Sequence, residues 1–182
     1  MQTQNLKSWT GSSRMTLSLV ITDFVDGTSL GIRVGNENMR QVWRTHCIRI
    51  RELIVALGGK EVKTVGDSFI IGFRTAIDAL SFAILILPNP GHPEISLRIG
   101  VHVGIVHIED EDIQGIMVNY THRVTNKARG AEIWASNQVR TDIIDEKSIA
   151  HQKLRWNKHR NIHLAGFPGR HTLWSVTVEP PI

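Results

Sequence analysis

The chain has 182 residues, enough for one domain with a sizeable core, and its 41% hydrophobic and 21% charged residues are ordinary for a soluble globular protein. A single cysteine, Cys47, excludes an internal disulfide and fits a reducing compartment. The net charge of +4 suits a polyanionic ligand, although surplus surface lysine and arginine would give the same value.

The first 15 residues predict a polar N-terminal tail, followed by one domain over residues 16–182. The tail lacks the apolar core of a signal peptide. The longest apolar stretch, residues 79–87, is much too short to cross a bilayer. From these features we expect a cytoplasmic protein with no membrane partner.

Hydrophobic patterning predicts four elements in the first part of the domain. Residues 17–22 predict a buried strand, and the following turn offers Thr28 or Ser29 as a helix N-cap. From residue 36 to 57 apolar side chains recur at three- and four-residue spacing, which predicts an amphipathic helix. The last two elements are the strands of a hairpin, at residues 60–64 and 68–73.

The second part of the chain continues with alternating helices and strands. The pattern predicts, in order, a helix at 75–87, a strand at 95–108, a helix at 118–129, a strand at 132–136, and a hairpin of 161–164 with 172–176. Residues 17–108 therefore have the order strand, helix, strand, strand, helix, strand. We expect an α+β fold with a ferredoxin-like βαββαβ core and extra C-terminal strands.

Two carboxylates lie at boundaries between apolar strands and turns. Asp23 ends the first strand, and Asp67 lies in the turn of the first hairpin. Two such carboxylates can hold hard cations such as Mg²⁺, which in turn hold phosphates. The alternative interpretation is two ordinary turn aspartates.

Asn119 and Arg123 are spaced four residues apart in a predicted helix. That spacing places them on one face of the helix. An amide and a guanidinium presented together can bind a ribose oxygen and a phosphate. The alternative for Arg123 is an ion pair on the helix surface.

Four motifs then occur together in chain order: Asp23, Lys63-Thr64-Val65-Gly66-Asp67, Arg98-Ile99-Gly100-Val101-His102-Val103-Gly104, and Asp112-x-x-Gly-x-x-Val-Asn-x-x-x-Arg123. Each is weak alone, but the set resembles the catalytic domain of class III nucleotidyl cyclases over about residues 17–176. The resemblance implies the cyclase fold and an enzyme. Its reaction would convert a nucleoside triphosphate to a 3′,5′-cyclic monophosphate and pyrophosphate.

The resemblance also implies a role for each matching residue. Two divalent cations, Mg²⁺ or Mn²⁺, would be held by Asp23 and Asp67. Backbone N–H groups at Gly27 and Thr28 could bind the phosphates. Asn119 would orient the ribose and Arg123 would stabilise the α-phosphate, whereas Lys63 and Asp112 match the base-contacting pair of adenylate cyclases.

In this family the metal-binding half and the base-binding half of a site come from two domains. Because this chain carries both halves, we expect a homodimer with two shared active sites. We expect no nucleic-acid partner, because the basic residues are scattered and no binding motif is present.

Several positions depart from the family pattern. Ala165 replaces a lysine that meets the triphosphate, and the resemblance leaves open whether a nearby cation substitutes for it. Asp26 adds a third carboxylate near the metal pair, and bulky side chains stand where small ones are common. The substitute cations would be Lys158, Arg160 or Arg170, and the bulky residues are Tyr120, His122 and Trp134.

These departures bear on which nucleobase the enzyme would use. A short chain with little besides the domain resembles the free-standing pyrimidine cyclases of bacterial anti-phage (Pycsar) systems. Together with the bulky residues and the missing phosphate-binding lysine, this resemblance favours UTP, then CTP, as the substrate from which a defence messenger would be made. The alternative is an adenylate cyclase, because Lys63 and Asp112 also suit ATP, and a remote alternative is an inactive nucleotide-binding module.

Overall fold

The computed structural model describes residues 5–144 and 154–178. Every helix among these residues is too short or too polar to span a membrane. Over these ranges the chain forms six helices and eight strands. In chain order they are α1 Leu6–Thr10, β1 Arg14–Phe24, α2 Gly27–Val34, α3 Asn36–Ala56, β2 Lys60–Val65, β3 Ser68–Phe73, α4 Ala76–Ile86, β4 Leu97–Glu109, β5 Asp112–Gln114, α5 Ile116–Thr125, β6 Glu132–Ser136, α6 Asn137–Ile144, β7 Leu154–Ile162 and β8 His171–Val178.

One mixed sheet organises the fold, in the strand order β2-β3-β1-β4-β6-β8-β7, with β5 paired to the end of β4. The first four strands have the ferredoxin-like arrangement, in which β1 lies between β3 and β4 and is antiparallel to both. The strand β6 extends the sheet in parallel to β4, and the β7–β8 hairpin completes it. The predicted α+β class with extra C-terminal strands is confirmed.

Alternation along β1 separates two cores. Val20 and Phe24 point into the larger core, which helices α3 and α4 cover. Leu17, Leu19 and Ile21 point into a smaller core on the other face of the sheet. Both sets are buried, which explains why this strand reads as a continuous apolar run.

Helix α5 lies very close to β4, and two glycines of that strand allow the approach. A Cβ atom added at Gly100 would lie 2.5 Å from the backbone nitrogen of Thr125. One added at Gly104 would lie 2.7 Å from the Cγ and Sδ atoms of Met117. The C-terminal end and the N-terminal end of α5 therefore each rest on a position without a side chain.

Several features differ from the sequence predictions. Strand β5 was not predicted, and α5 spans Ile116–Thr125 instead of residues 118–129. Leu6 is buried in the smaller core, so residues 6–15 are not a bare tail but a short helix followed by the start of β1. Helix α2 was not predicted, and its N-cap is Asp26 rather than Thr28 or Ser29. Helix α6 was missed, and β7 begins at Leu154, seven residues before the predicted strand.

Candidate active site

The two predicted metal-binding carboxylates meet at one end of the sheet. Asp23 lies near the end of β1, and Asp67 lies in the two-residue turn between β2 and β3. The pairing of Thr22 with Phe69 brings that turn beside Asp23. Burial and the negative charge of Asp23 raise the pKa of Asp67 above its ordinary value. The structure therefore brings together the pair that the sequence predicts.

A third charged residue, Arg98, completes this cluster. It pairs with Asp23 in the register of β1 and β4, and its Nε donates to Asp23 Oδ2 at 2.7 Å. Ser68 Oγ donates to the other carboxylate oxygen at 2.5 Å. Burial raises the pKa of Asp23, but Ser68 and Arg98 lower it by more, so that the net pKa lies below its ordinary value. Asp23 is thus held ionised and oriented by its two partners.

The first turn of α2 packs directly against Asp67. A Cβ atom added at Gly27 would lie 2.4 Å from Asp67 Oδ2 and 3.2 Å from the Cβ of Phe24. The first intrahelical hydrogen bond runs from the Leu30 N–H to the Asp26 carbonyl. The N–H groups of Gly27 and Thr28 therefore have no partner within the helix, and this end of a helix favours anions.

These residues fit divalent cations that also bind a phosphate chain. Mg²⁺ commonly takes one or two protein carboxylates and completes its shell with water and substrate oxygens. Asp23 and Asp67 supply the carboxylates, and the start of α2 supplies N–H groups beside them. Within the described residues no third His, Cys, Asp or Glu joins the pair, so the exposed Asp26 is not part of a three-ligand cluster.

Substitution of Gly27 by alanine is expected to lower catalytic turnover by about 100-fold, because it displaces the Asp67 carboxylate. The matched control is Gly31→Ala in the same helix. Its new Cβ would meet only Met39 Cγ, at 3.9 Å, so this variant should keep its activity and melt at the same or a higher temperature. Steady-state rates and melting curves of both variants check the prediction, and equal rates would contradict it.

The predicted base-binding pair forms a direct ion pair. Lys63 Nζ on β2 lies 2.6 Å from Asp112 Oδ2 at the start of β5. The other carboxylate oxygen of Asp112 accepts from the Ile113 N–H at 2.7 Å. Both side chains remain about two-fifths exposed, at 38% and 40%. The pair is therefore ordered, yet its polar atoms remain reachable for a base edge.

Asn119 and Arg123 lie one turn apart on α5, and both are exposed. Arg123 Nε donates to the backbone carbonyl of Ala165 at 3.0 Å. Ala165 lies in the turn between β7 and β8, where the family resemblance expects a phosphate-binding lysine. In this chain the same turn instead offers a backbone acceptor to Arg123.

The three bulky residues have different surroundings. Tyr120 packs against His102, Phe167 and His171 and makes no ring contact or hydrogen bond with Lys63 or Asp112. Trp134 stacks on His159, with 4.3 Å between ring centroids. Trp134 also packs at the edge of a small cluster formed by Val124, Leu164 and Leu173. These contacts explain Tyr120 and Trp134 by packing.

His122 differs from the other two, because it lies among the charged residues of the site. Burial lowers its pKa, the charge of Asp23 raises it, and the charges of Arg123 and Lys63 lower it. The half-buried imidazole is three residues from Asn119 and shares its helix face. Sequence reasoning noted its bulk but not this charged environment.

The structure also shows the surroundings of the three cations proposed to replace the missing lysine. Lys158 Nζ lies over the ring of Trp174, at 5.2 Å from its centroid. The two-residue period of β7 puts Lys158 on the same face as Trp156, which packs on the larger core. Lys158 is therefore engaged away from Arg123, whereas Arg160 and Arg170 are exposed.

His102 anchors the strand β4 beneath α5. Its Nδ1 lies 2.8 Å from Ser136 Oγ, its Nε2 lies 3.1 Å from Met117 Sδ, and its ring packs 4.4 Å from that of Tyr120. Burial lowers the pKa of His102 to about 4. The imidazole is consequently neutral at physiological pH and holds the helix that presents Asn119 and Arg123.

This depressed pKa predicts that acid destabilises the protein. Below about pH 6.5 the unfolded chain protonates His102 while the folded chain does not, so the contribution of neutral His102 is full above pH 6.5 and is lost as the pH falls to about 4. The loss is about 3 kcal/mol at 1.36 kcal/mol per pKa unit. The buried His46, whose pKa is also lowered by burial, adds in the same direction. Urea unfolding at pH 7.5 and 4.5 should show a smaller pH dependence for His102→Gln than for the wild type, and equal dependence would contradict the assignment.

Comparison with known proteins assigns nearly the whole chain to one family. The family model described as "Adenylate and Guanylate cyclase catalytic domain" matches residues 12–177. An adenylate cyclase of Mycosarcoma maydis is 28% identical over 171 residues, which cover 74% of this chain but 7% of that protein. The chain therefore spans only a small part of this curated relative.

Solved structures show the same fold at low sequence identity. The adenylyl cyclase CyaB from P. aeruginosa superimposes with a TM-score of 0.81 at 18% identity, covering 92% of this chain and 96% of that chain. The guanylate cyclase domain of RhGC from Catenaria anguillulae, solved in complex with GTP, gives a TM-score of 0.77 at 18% identity, covering 93% of this chain and all of that chain, 100%.

Proposed function

We propose that this chain, which belongs to the adenylate and guanylate cyclase catalytic domain family, is an active nucleotidyl cyclase that works as a homodimer. The observation that carries the proposal is the meeting of Asp23 and Asp67 beside the N-terminus of α2, in a chain that also retains Asn119 and Arg123 on one helix face. A degenerate, binding-only relative would lack one or more of these groups.

The proposed reaction is an in-line displacement at the α-phosphorus. The ribose 3′-hydroxyl releases its proton to solvent water and its oxygen bonds to the α-phosphorus, while the bond from that phosphorus to the oxygen bridging the α- and β-phosphates breaks and releases pyrophosphate. Two divalent cations, Mg²⁺ or Mn²⁺, held by Asp23 and Asp67 would activate the 3′-hydroxyl and neutralise phosphate charge. The N–H groups of Gly27 and Thr28 would bind the phosphates.

The other half of the site would position the nucleoside. Asn119 would orient the ribose, and the η nitrogens of Arg123 would stabilise charge that develops on the α-phosphate. Lys63 and Asp112 would separate enough to admit the base edge, with Lys63 donating and Asp112 accepting. Arg98 and Ser68 would keep Asp23 ionised and oriented throughout.

A symmetric dimer would join the two halves, as in the family resemblance. Exposed apolar side chains accompany both halves of the site. Val65 is 56% exposed at the end of β2, and Ile116, which is 60% exposed, precedes Asn119 by three residues on the same helix face. Burial of these side chains against a second copy would favour the association.

For the base we propose a pyrimidine, UTP before CTP. His122 supports this choice, since its half-buried ring adds bulk to the face of α5 that carries Asn119, and the charges of Lys63 and Arg123 act on it. Lys63 can donate to a uracil carbonyl, and Asp112 can accept from uracil N3–H. The proposed cellular role is production of an anti-phage second messenger, in line with the resemblance to Pycsar cyclases.

The second candidate is an adenylate cyclase that converts ATP to cyclic AMP. Curated relatives such as the M. maydis protein carry that name, and the Lys63–Asp112 pair is compatible with adenine as well. Tyr120 and Trp134 pack against other aromatic rings and not against the Lys63–Asp112 ion pair. Two of the three bulky residues therefore do not support a small base.

Product analysis with the purified wild type tests both proposals. Each of the four triphosphates is incubated with Mn²⁺, and the products are identified by mass. We expect cyclic UMP to dominate and Lys63→Ala to reduce its formation by about tenfold or more, because the variant leaves Asp112 without its cation. Dominant cyclic AMP would instead establish the adenylate cyclase, and no cyclic product from any triphosphate would contradict the enzyme.

A further inference from the structure

The turn between β7 and β8 makes the polar contact that fixes the Arg123 guanidinium. Arg123 Nε donates to the Ala165 carbonyl at 3.0 Å, which leaves the four N–H groups of the η nitrogens for a ligand. The residue is exposed, and its guanidinium lies at the end of a long aliphatic chain. Its direction therefore depends on where the turn holds that carbonyl.

Three aromatic side chains attach this turn to α5. Tyr120, one turn before Arg123, meets Phe167 edge to face at 4.9 Å between ring centroids. Its hydroxyl lies 3.2 Å from Nδ1 of His171, the first residue of β8. Below them Val124, Leu164 and Leu173 are completely buried. One continuous set of contacts therefore runs from α5 through the aromatic rings to the turn and back to Arg123.

We propose that Tyr120, Phe167 and His171 are positioning residues for Arg123, acting through the carbonyl of Ala165. This inference rests on the proposed function, in which Arg123 stabilises the α-phosphate. The aromatic contacts hold the turn at one distance from α5, and the turn holds Nε. The η nitrogens are then directed to the substrate before it binds, so that less side-chain entropy is lost in the transition state.

The competing explanation is that the aromatic residues only stabilise the hairpin. Two predictions separate the explanations. A positioning role requires that the effect on turnover disappear when Arg123 is absent, whereas a stabilising role is independent of Arg123. A positioning role also requires that the Arg123 side chain itself become less ordered in the variant.

The kinetic test is a double-mutant cycle with the triphosphate that the wild type converts fastest. Phe167→Ala should lower kcat about tenfold with little change in KM, because the arginine acts mainly in the transition state. Phe167→Ala combined with Arg123→Ala should be no slower than Arg123→Ala alone. Equal tenfold losses in both backgrounds would overturn the proposal.

The second test does not require activity. In protein with ¹⁵N-labelled arginine, the Nε–H resonance of Arg123 is assigned by its absence from the Arg123→Ala spectrum. We expect it to exchange slowly with solvent in the wild type and about tenfold faster in Phe167→Ala, since the hydrogen bond to Ala165 is lost. Unchanged exchange in Phe167→Ala would overturn the proposal even if the wild type turns over no nucleotide.

The matched control is Trp156→Leu, which removes an aromatic ring from the same hairpin on the face toward the larger core. Trp156 contacts Trp174 and Arg140 rather than Tyr120. This variant should lower the melting temperature but change kcat and the hydrogen-exchange rate of the Arg123 Nε–H by no more than about twofold, since Trp156 has no contact with the aromatic residues that hold the turn. Loss of turnover in the control equal to that of Phe167→Ala would favour hairpin stability as the cause.

Discussion

Asp67→Asn is expected to lower cyclic nucleotide formation by about 1,000-fold or more, because it removes one of the two carboxylates proposed to hold the metal ions. The same variant should melt at or above the wild-type temperature. Burial and Asp23 raise the pKa of Asp67, so its ionised form is disfavoured in the folded protein and a neutral amide relieves the repulsion. Activity and thermal melting are measured on the same preparation.

Asp23→Asn provides the comparison for that result. This variant should also lose activity, but it leaves the Arg98 guanidinium without its carboxylate partner. A loss of stability of about 1–3 kcal/mol is expected. Substantial activity in Asp67→Asn, or a lower stability of Asp67→Asn than of Asp23→Asn, would contradict the roles assigned here.

Mixing two inactive variants is expected to restore activity if the sites are shared between subunits. Asp67→Asn has a defective metal half and an intact Asn119–Arg123 half, and Arg123→Ala has the reverse. With random exchange of subunits half of the dimers are mixed, and each mixed dimer has one of its two sites intact. Activity should therefore recover to about a quarter of the wild-type value.

The control for this experiment uses two defects in the same half. A mixture of Asp67→Asn with Asp23→Asn should remain inactive, because every site in every dimer lacks a carboxylate. Subunit exchange is verified separately with differently tagged chains. Absence of recovery in the first mixture, despite proven exchange, would show that each chain contains complete sites.

The core elements were predictable because their apolar periodicity is strong. Helix α3 begins at Asn36 as predicted and ends one residue before the predicted end, and strand β6 occupies residues 132–136 in both descriptions. These elements predicted a ferredoxin-like arrangement, and the first four strands have the corresponding order β2-β3-β1-β4 in the sheet. Elements with a strong apolar period carry their own signature in the sequence.

The elements that sequence reasoning missed are short or atypical. Helix α1 has five residues and is held by Leu6 in the smaller core, a tertiary contact that no local pattern indicates. Helix α2 begins after Asp26 in a left-handed conformation without a side-chain cap, so the usual start signal is absent. Among the described residues β7 is the last strand of the sheet, and its many charged residues, which are common on edge strands, weaken the apolar pattern.

For the candidate site, the sequence indicated residue types but not contacts. Asp23 and Asp67 were identified from their places at strand ends, and the structure brings them together. The ion pair of Asp23 with Arg98 depends on the register of β1 and β4, which a single sequence does not specify. Likewise, the contact of Arg123 with Ala165 joins residues 42 positions apart.

The close packing of α5 on Gly100 and Gly104 limits how the helix can move relative to β4. Atoms of α5 already lie in van der Waals contact with the backbone of β4 at the two glycines, so the helix cannot approach the strand more closely. Sliding along the strand would bring Met117 or Thr125 against the neighbouring side chains of β4. We therefore expect α5 and β4 to move together. Within one subunit the distance from the strand-end carboxylates to Asn119 is then set by the fold, and in the proposed dimer any opening that admits a nucleotide would come from movement between the two subunits.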